Sequence, residues 1–207
     1  MPAPGLSRSA IVLAGGASRR MGTAKEWLDA GGVPLLLRVV ASVSEACSLV
    51  VVCPRSGQEL PPLPASVRRA DDPPALAGGG PLVGVATGLA ALGDDGLVFC
   101  GSVDAPLVTT GHVTYVLDLL EARPEAQAVV PVSEDGRLHP LAGAVRLPAA
   151  RAAAERLVAA GERRLMSLFE ALPLARVPAR DLPSPDVLLP CNSPEDWRRL
   201  RRLRGWL

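Results

Sequence analysis

Residues 10–25 read AIVLAGGASRRMGTAK, and the fold is decided in this stretch. Its first five residues are an uninterrupted apolar run that stops at Gly15-Gly16. A strand buried on both faces of a parallel sheet has this form, because neither face needs polar side chains for solvent. Glycines directly after such a strand let the backbone approach a ligand closely and turn consecutive N–H groups towards phosphate oxygens. Arg19, Arg20 and Lys25 bring three positive charges to the same segment. A guanidinium suits bidentate contacts, whereas an ammonium is a compact point charge. Lys25 is the only lysine among 22 basic residues, and Asn192 is the only asparagine. Where arginine is used everywhere else, a lone lysine in this segment points to a site that needs a compact cation. No Gly-Lys-Ser/Thr closes the segment and it contains no G-x-G-x-x-G, so it is neither a Walker A loop nor a dinucleotide fingerprint. The reading is a phosphate-binding loop; a glycine turn with solvated charges is the alternative.

Outward from this strand, helical and strand-like segments alternate. Residues 34–46 open with Pro34 at a first helical position and continue as an apolar helix. Strands are expected at 48–53, 66–70, 96–101 and 128–132, with helices at 81–92 and 110–122. This alternation is the signature of βαβ units, and it predicts a three-layer, Rossmann-like α/β domain with a mainly parallel sheet. Right-handed crossovers put the C-terminal strand ends on one edge, so residues 15–25 and 102–106 face a shared crevice. The second half is less regular. A strand over 138–146, helices over 148–160 and 162–172, and short strands at 174–178 and 187–191 are expected. The last helix is capped by Ser193, with Pro194 in its first position and Glu195 and Asp196 in its first turn. With no internal repeat and no long linker, residues 1–207 form one domain, about the first nine residues being a disordered lead-in.

Composition limits the function classes. The chain has 207 residues, 48% apolar and 21% charged, which is enough for a core and excludes wholesale disorder. A net charge of +1 argues against nucleic acid or a membrane surface as partner. No apolar run approaches the ~20 residues of a membrane span. Cys47, Cys53, Cys100 and Cys191 form no CxxC pair and read as thiols of a reducing compartment, hence a cytoplasmic protein. The arginines near the C-terminus alternate with Trp197, Leu200 and Leu203 at helical spacing, an amphipathic surface helix.

Two carboxylates stand out. Asp104 follows a buried strand on the edge that carries the glycine segment, and one carboxylate suffices to tether Mg²⁺, which keeps waters and substrate oxygens as its other ligands. The alternative is a turn Asp bonded to backbone ahead of Pro106. Asp71 ends a strand, where the residues by themselves read as a turn. His112 reads as a surface residue of its helix. His139 precedes Pro140 at a strand start and is not assigned to catalysis.

The segment Leu13-Ala14-Gly15-Gly16-Ala17-Ser18-Arg19-Arg20-Met21-Gly22-Thr23-Ala24-Lys25 resembles the LAGGxSxRMGxxK signature of the molybdenum cofactor guanylyltransferase (MobA-like) family of nucleotidyltransferases. Gly32-Val33-Pro34-Leu35-Leu36, Asp71-Asp72-Pro73-Pro74, Gly79-Gly80-Pro81-Leu82-Val83-Gly84, Ser102-Val103-Asp104-Ala105-Pro106, His139-Pro140, residues 161–166 and Asn192-Ser193-Pro194-Glu195-Asp196 are similar to further family features, in order. Two positions depart: Ala24 stands where the family usually has Asp, and Pro190 where it often has Asn. The resemblance implies transfer of GMP from GTP to molybdopterin phosphate with release of pyrophosphate. It implies Arg20, Lys25 and Asp104 as catalytic residues. It implies a nucleotide site made of Leu13, Ala14, Gly15, Gly16, Ser18, Arg19, Lys25, Asp71, Gly80 and Asp104, with Mg²⁺ on Asp104 and Asn192 on the acceptor or metal side. Other molybdenum cofactor proteins are implied partners. Related cytidylyltransferases tend to open with LAAG, so Gly15 favours GTP over CTP. A cytidylyltransferase, a nucleotidyltransferase for another phosphate acceptor and, in a different class, a non-catalytic nucleotide-binding module are the alternatives.

Overall fold

The computed structural model describes residues 6–15 and 24–206. The opening strand covers Arg8–Leu13 (β1) and is buried from Ser9 onwards. Arg8 and Ser9, expected in a disordered lead-in, therefore belong to the sheet. Ser9 pairs with Leu49 and Val98, and the Arg8 guanidinium is held by Asp118 and Glu121, both at 2.6 Å. β1 is flanked by β2 (Leu49–Cys53) and β4 (Leu97–Ser102), parallel to both. With β3 (Val67–Arg69), β5 (Ala128–Val132), β6 (Gly143–Arg146) and β7 (Leu174–Pro178) they form one seven-stranded sheet in the order β3-β2-β1-β4-β6-β5-β7.

Helices cover both faces, as the three-layer expectation requires. Alternate residues of β1 serve the two cores: Ala10 and Val12 face α1 (Leu35–Ser44), α3 (Thr110–Glu121) and α6 (Pro194–Arg204), while Ile11 and Leu13 face α2 (Pro81–Ala90), α4 (Leu147–Ala159) and α5 (Leu165–Glu170). The helix α2 lies close on β1 because two glycines face it. A Cβ at Gly88 would stand 2.8 Å from Ile11, and one at Gly84 3.0 Å from Leu13.

The chain runs from β1 outward through β2 to β3, then returns to β4 on the other side of β1. The reversal creates a crevice beyond the C-terminal ends of β1 and β4, the place where ligands bind in open α/β sheets.

The structure differs from expectation in four places, three of them in the less regular half. The strand expected over 138–146 is interrupted: Leu138 makes a single antiparallel bridge to Val132, Pro140–Ala142 is a 3-10 turn, and the strand proper is Gly143–Arg146, antiparallel to both β4 and β5. Residues 187–191 form no strand: Pro185–Leu188 is a 3-10 turn, and the prolines around it remove the N–H groups a ladder needs. The helix expected at 162–172 covers Leu165–Glu170, because Glu162 caps it instead of joining it, accepting from Arg163 N, Arg164 N and the Ser167 hydroxyl. His112 is fully buried, its Nε2 2.8 Å from Ala142 O and its ring edge-on to Phe99. It lies on the same helical face as Val113 and Val116, which pack on the sheet. Among the described residues no helix is long and apolar enough to cross a membrane.

Candidate functional site

The crevice is built by three loops. Where β1 ends, Ala14 N donates to Cys53 O at 3.0 Å and Val103 N to Leu13 O at 3.0 Å, so the turns after β1, β2 and β4 stay together past the last strand residues. Gly15 makes this possible: a Cβ there would stand 2.8 Å from Arg55 Cγ and 3.0 Å from Arg55 N. Lys25 returns to the same point from a short 3-10 turn, Lys25–Trp27. It is 8% exposed, and its Nζ lies 2.6 Å from Asp104 Oδ1 and 3.3 Å from Asn192 Oδ1. The only lysine, the only asparagine and the carboxylate after β4 thus meet, from positions 25, 104 and 192.

Local structure fixes each partner. Asp104 N donates to Ser102 Oγ at 3.2 Å, and Asp104 O accepts from Cys191 N at 2.9 Å, which draws the C-terminal segment over the crevice. Asn192 N and Ser193 N both donate to Asp196 Oδ2 at 2.9 Å, while Asp196 N donates to Ser193 Oγ. This capping box starts α6 and orients Asn192. The backbone donors Asn192 N and Ser193 N, with the Ser193 hydroxyl, lower the Asp196 carboxyl below its ordinary value.

Three connected cavities follow the crevice. A central one of about 280 Å³ is lined by Leu13, Ala14, Gly15, Lys25, Asp104 and their neighbours. Sharing Leu13, Gly15 and Pro81 with it, a cavity of about 440 Å³ extends over β2 and is lined by Arg55, Asp72 and Gly80. Gly80 has φ +82 and a Cβ there would stand 3.1 Å from Arg163 O, so no other residue fits easily. On the other side, sharing Ser102, Asp104 and Leu141, a third cavity of about 280 Å³ is lined by Arg137, His139 and Asn192 against apolar Leu138 and Val187.

The nucleotide residues expected from sequence are placed unevenly. Leu13, Ala14, Gly15, Lys25 and Asp104 line the central cavity, and Gly80 the one beside it. Asp71 lines none of the three. It turns back to Arg69, two residues away on the strand, in a bidentate pair at 2.7 and 2.8 Å that lowers its carboxyl below the ordinary range. Its neighbour Asp72 lines the cavity over β2 instead, and burial raises its carboxyl although Thr87 donates to it at 3.1 Å. Gly16, Ser18, Arg19 and Arg20 lie outside the described residues.

Sequence reasoning missed Asp72, Arg137 and the pair Gln58–Glu26. Nothing local marks them: Asp72 is bonded by Thr87 of α2, Gln58 reaches Ala14 and Glu26 from another loop, and Arg137 is brought to the third cavity by the fold. The four cysteines are free and buried, and burial pushes the thiols of Cys47, Cys53 and Cys100 up to about 12, so they read as packing groups.

Among the described residues no three of His, Cys, Asp and Glu gather as a metal cluster. The fit for a single hard cation is nevertheless good. Two oxygens, Asp104 Oδ1 and Asn192 Oδ1, already converge on the positive charge of Lys25, and Asp104 keeps about half of its side chain open to the cavity. A carboxylate with an amide oxygen beside it is the kind of share a protein gives to a hard cation such as Mg²⁺, whose remaining ligands are then water and phosphate.

A three-layer sheet with a lysine and a carboxylate at its switch point defines a nucleotide-handling α/β protein. The sequence matches the MobA-like NTP transferase domain over residues 10–177. A Mycobacterium marinum protein named "Probable molybdenum cofactor guanylyltransferase" is 37% identical over 196 residues, 87% of this chain and 94% of its own. Molybdopterin-guanine dinucleotide biosynthesis protein A from Archaeoglobus fulgidus shares the fold with a TM-score of 0.76, at 20% identity over 96% of this chain and 100% of that one. The 2-C-methyl-D-erythritol 4-phosphate cytidylyltransferase of Thermus thermophilus does so at 0.70, with 22% identity over 98% of this chain and 100% of that one. The chain belongs to the MobA-like NTP transferase family and is a nucleotidyltransferase.

Proposed function

We propose that the protein transfers GMP from GTP to a molybdopterin-type phosphate and releases pyrophosphate. The observation that carries the reaction class is the meeting of Lys25, Asp104 and Asn192 at the switch point between β1 and β4. The choice of substrates is supported by the names of relatives 37% identical to this chain.

In this reading the cavity over β2 takes the nucleoside, the central one the phosphates, and the one beside His139 the acceptor. An acceptor phosphate oxygen attacks the α-phosphorus; the bond from that phosphorus to the bridging oxygen breaks, and pyrophosphate leaves with the electron pair. The chain forms no covalent intermediate and works by holding the two substrates in line. The turn at 13–15 holds the nucleotide, and Lys25 neutralises charge as it develops on the phosphates. Arg19, Arg20, Gly16 and Ser18 take the family's nucleotide-binding roles by resemblance. Asp104, with Asn192 beside it, would hold Mg²⁺, which when bound supplies further neutralisation of the phosphates. Work in the cytoplasm, alongside other molybdenum cofactor proteins, belongs to the same reading and is supported by four free, buried thiols.

Melting curves with GTP, CTP, ATP and UTP, each with Mg²⁺, test the substrate. A ligand bound only by the folded chain raises the melting temperature by mass action. GTP is expected to give the largest rise; an equal rise with CTP would overturn the guanine assignment.

A further inference from the structure

Gln58 lies in the loop after β2, takes no part in the chemistry above, and yet its carboxamide is fully engaged. Its Nε2 donates to Ala14 O at 3.1 Å and to Glu26 Oε1 at 2.6 Å, and its Oε1 accepts from Arg55 N at 3.0 Å. Its backbone is fixed as well, since Gln58 O accepts from Arg69 Nη2 at 3.0 Å. Ala14 stands just before the glycine-rich segment and Glu26 directly after Lys25. One planar side chain therefore ties the entry of that segment to its exit, across 44 and 32 residues of sequence.

Two further features suit this role. Glu26 is a carboxylate only 4% exposed, and an apolar pair of similar shape at this joint would be at least as stable. What the polar pair adds is direction, because a carboxamide fixes both the distance and the angle between its partners. The joint is also packed tightly, with Gly15 too close to Arg55 N to carry a Cβ.

We propose that Gln58 and Glu26 form a bracket that sets the spacing between the 14–15 backbone and Lys25, and so are positioning residues for the nucleotide triphosphate. The inference rests on the reading of the central cavity as the phosphate site. Ala14, Gly15 and Lys25 all line that cavity, so a shift of an ångström at the bracket moves the groups facing the phosphates.

Calorimetric titration with whichever of the four nucleoside triphosphates wild type binds best, in Mg²⁺, tests it. Glu26→Leu and Gln58→Leu should each weaken binding by about 10- to 100-fold, as misplacement of this order does. Glu26→Gln, which keeps the shape and an acceptor oxygen, should recover what Glu26→Leu loses, whereas Glu26→Met, of similar length with no acceptor oxygen, should not; a role in packing alone would let both recover it. Should the leucine variants fail to fold by circular dichroism, Glu26→Asp and Gln58→Asn, one methylene too short, should fold and bind weakly. Folded leucine or shortened variants with wild-type affinity would overturn the bracket and leave the site reading intact. A wild-type protein that binds none of the four would overturn both.

Discussion

Lys25 Nζ sits 2.6 Å from Asp104 and within reach of Asn192, a place that a compact ammonium fills and a planar guanidinium does not. Lys25→Arg keeps the charge and lengthens the side chain. It is expected to cut turnover by about 100-fold, with nucleotide affinity reduced less and the circular dichroism spectrum unchanged. Unchanged turnover would mean that the lone lysine is an accident of composition. The residue scale is also where the sequence was most legible. Lys25 and Asn192 were visible as single uses of their residue type, and Asp104 by its position after a buried strand. Asp72 was hidden behind Asp71, since which of two adjacent acids faces the cavity depends on Arg69 claiming the first. Gln58 was invisible, because its three partners meet only when the turns after β1 and β2 lie side by side.

At the scale of elements, α2 shows how packing serves the site. Gly84 and Gly88, one turn apart on its inner face, let the helix sit close on β1 and bring Gly80 and Pro81 to the crevice. Gly88→Ala gains up to about 1 kcal/mol in helix propensity, but its Cβ meets three Ile11 side-chain atoms at 2.8–2.9 Å in a fully buried core. The clash is expected to win, with a net loss of about 1–2 kcal/mol in urea unfolding; a more stable variant would contradict this account of the helix. The parallel half was readable because each of its strands is an apolar run next to a helix of clear period. β6 was not, since four residues, Gly143–Arg146, the first three of them buried, look alike whichever way the strand runs. The reading of His112 as exposed failed for a related reason: its partner, Ala142 O, lies in the 3-10 turn that precedes that strand. Burial lowers the pKa of His112, and burial together with Arg137 lowers that of His139, so the folded chain resists protons that the unfolded chain accepts below about 6.5. Stability should therefore be full above about pH 6.5 and decline below it, by at most about 1.4 kcal/mol per pH unit for each histidine. Unfolding in urea at several pH values between about 5 and 7.5 reads this slope. His112→Gln, which keeps a donor for Ala142 O and cannot titrate, should flatten it, and an unchanged slope would show that His112 is not its source.

For the whole molecule, the account places one reaction across three cavities that share the ends of β1 and β4. Chain segments from both halves are needed, since Leu141 lines the central cavity beside residues 13–104, and Cys191 N holds Asp104 O and so brings Asn192 over it. The departures Ala24 and Pro190 do not part the central groups: Lys25 and Asn192, one and two residues further on, still reach each other, while Pro190 itself lines the third cavity. The most direct test of the central claim is pyrophosphate release from GTP with Mg²⁺ and molybdopterin, compared between wild type and Asp104→Asn. Asparagine keeps the shape but removes the charge that pairs with Lys25 and suits a hard cation. The account predicts release by wild type that depends on the acceptor, and loss of most of it in a folded Asp104→Asn protein. No acceptor-dependent release by wild type, or release by Asp104→Asn close to wild type at saturating Mg²⁺, would contradict it.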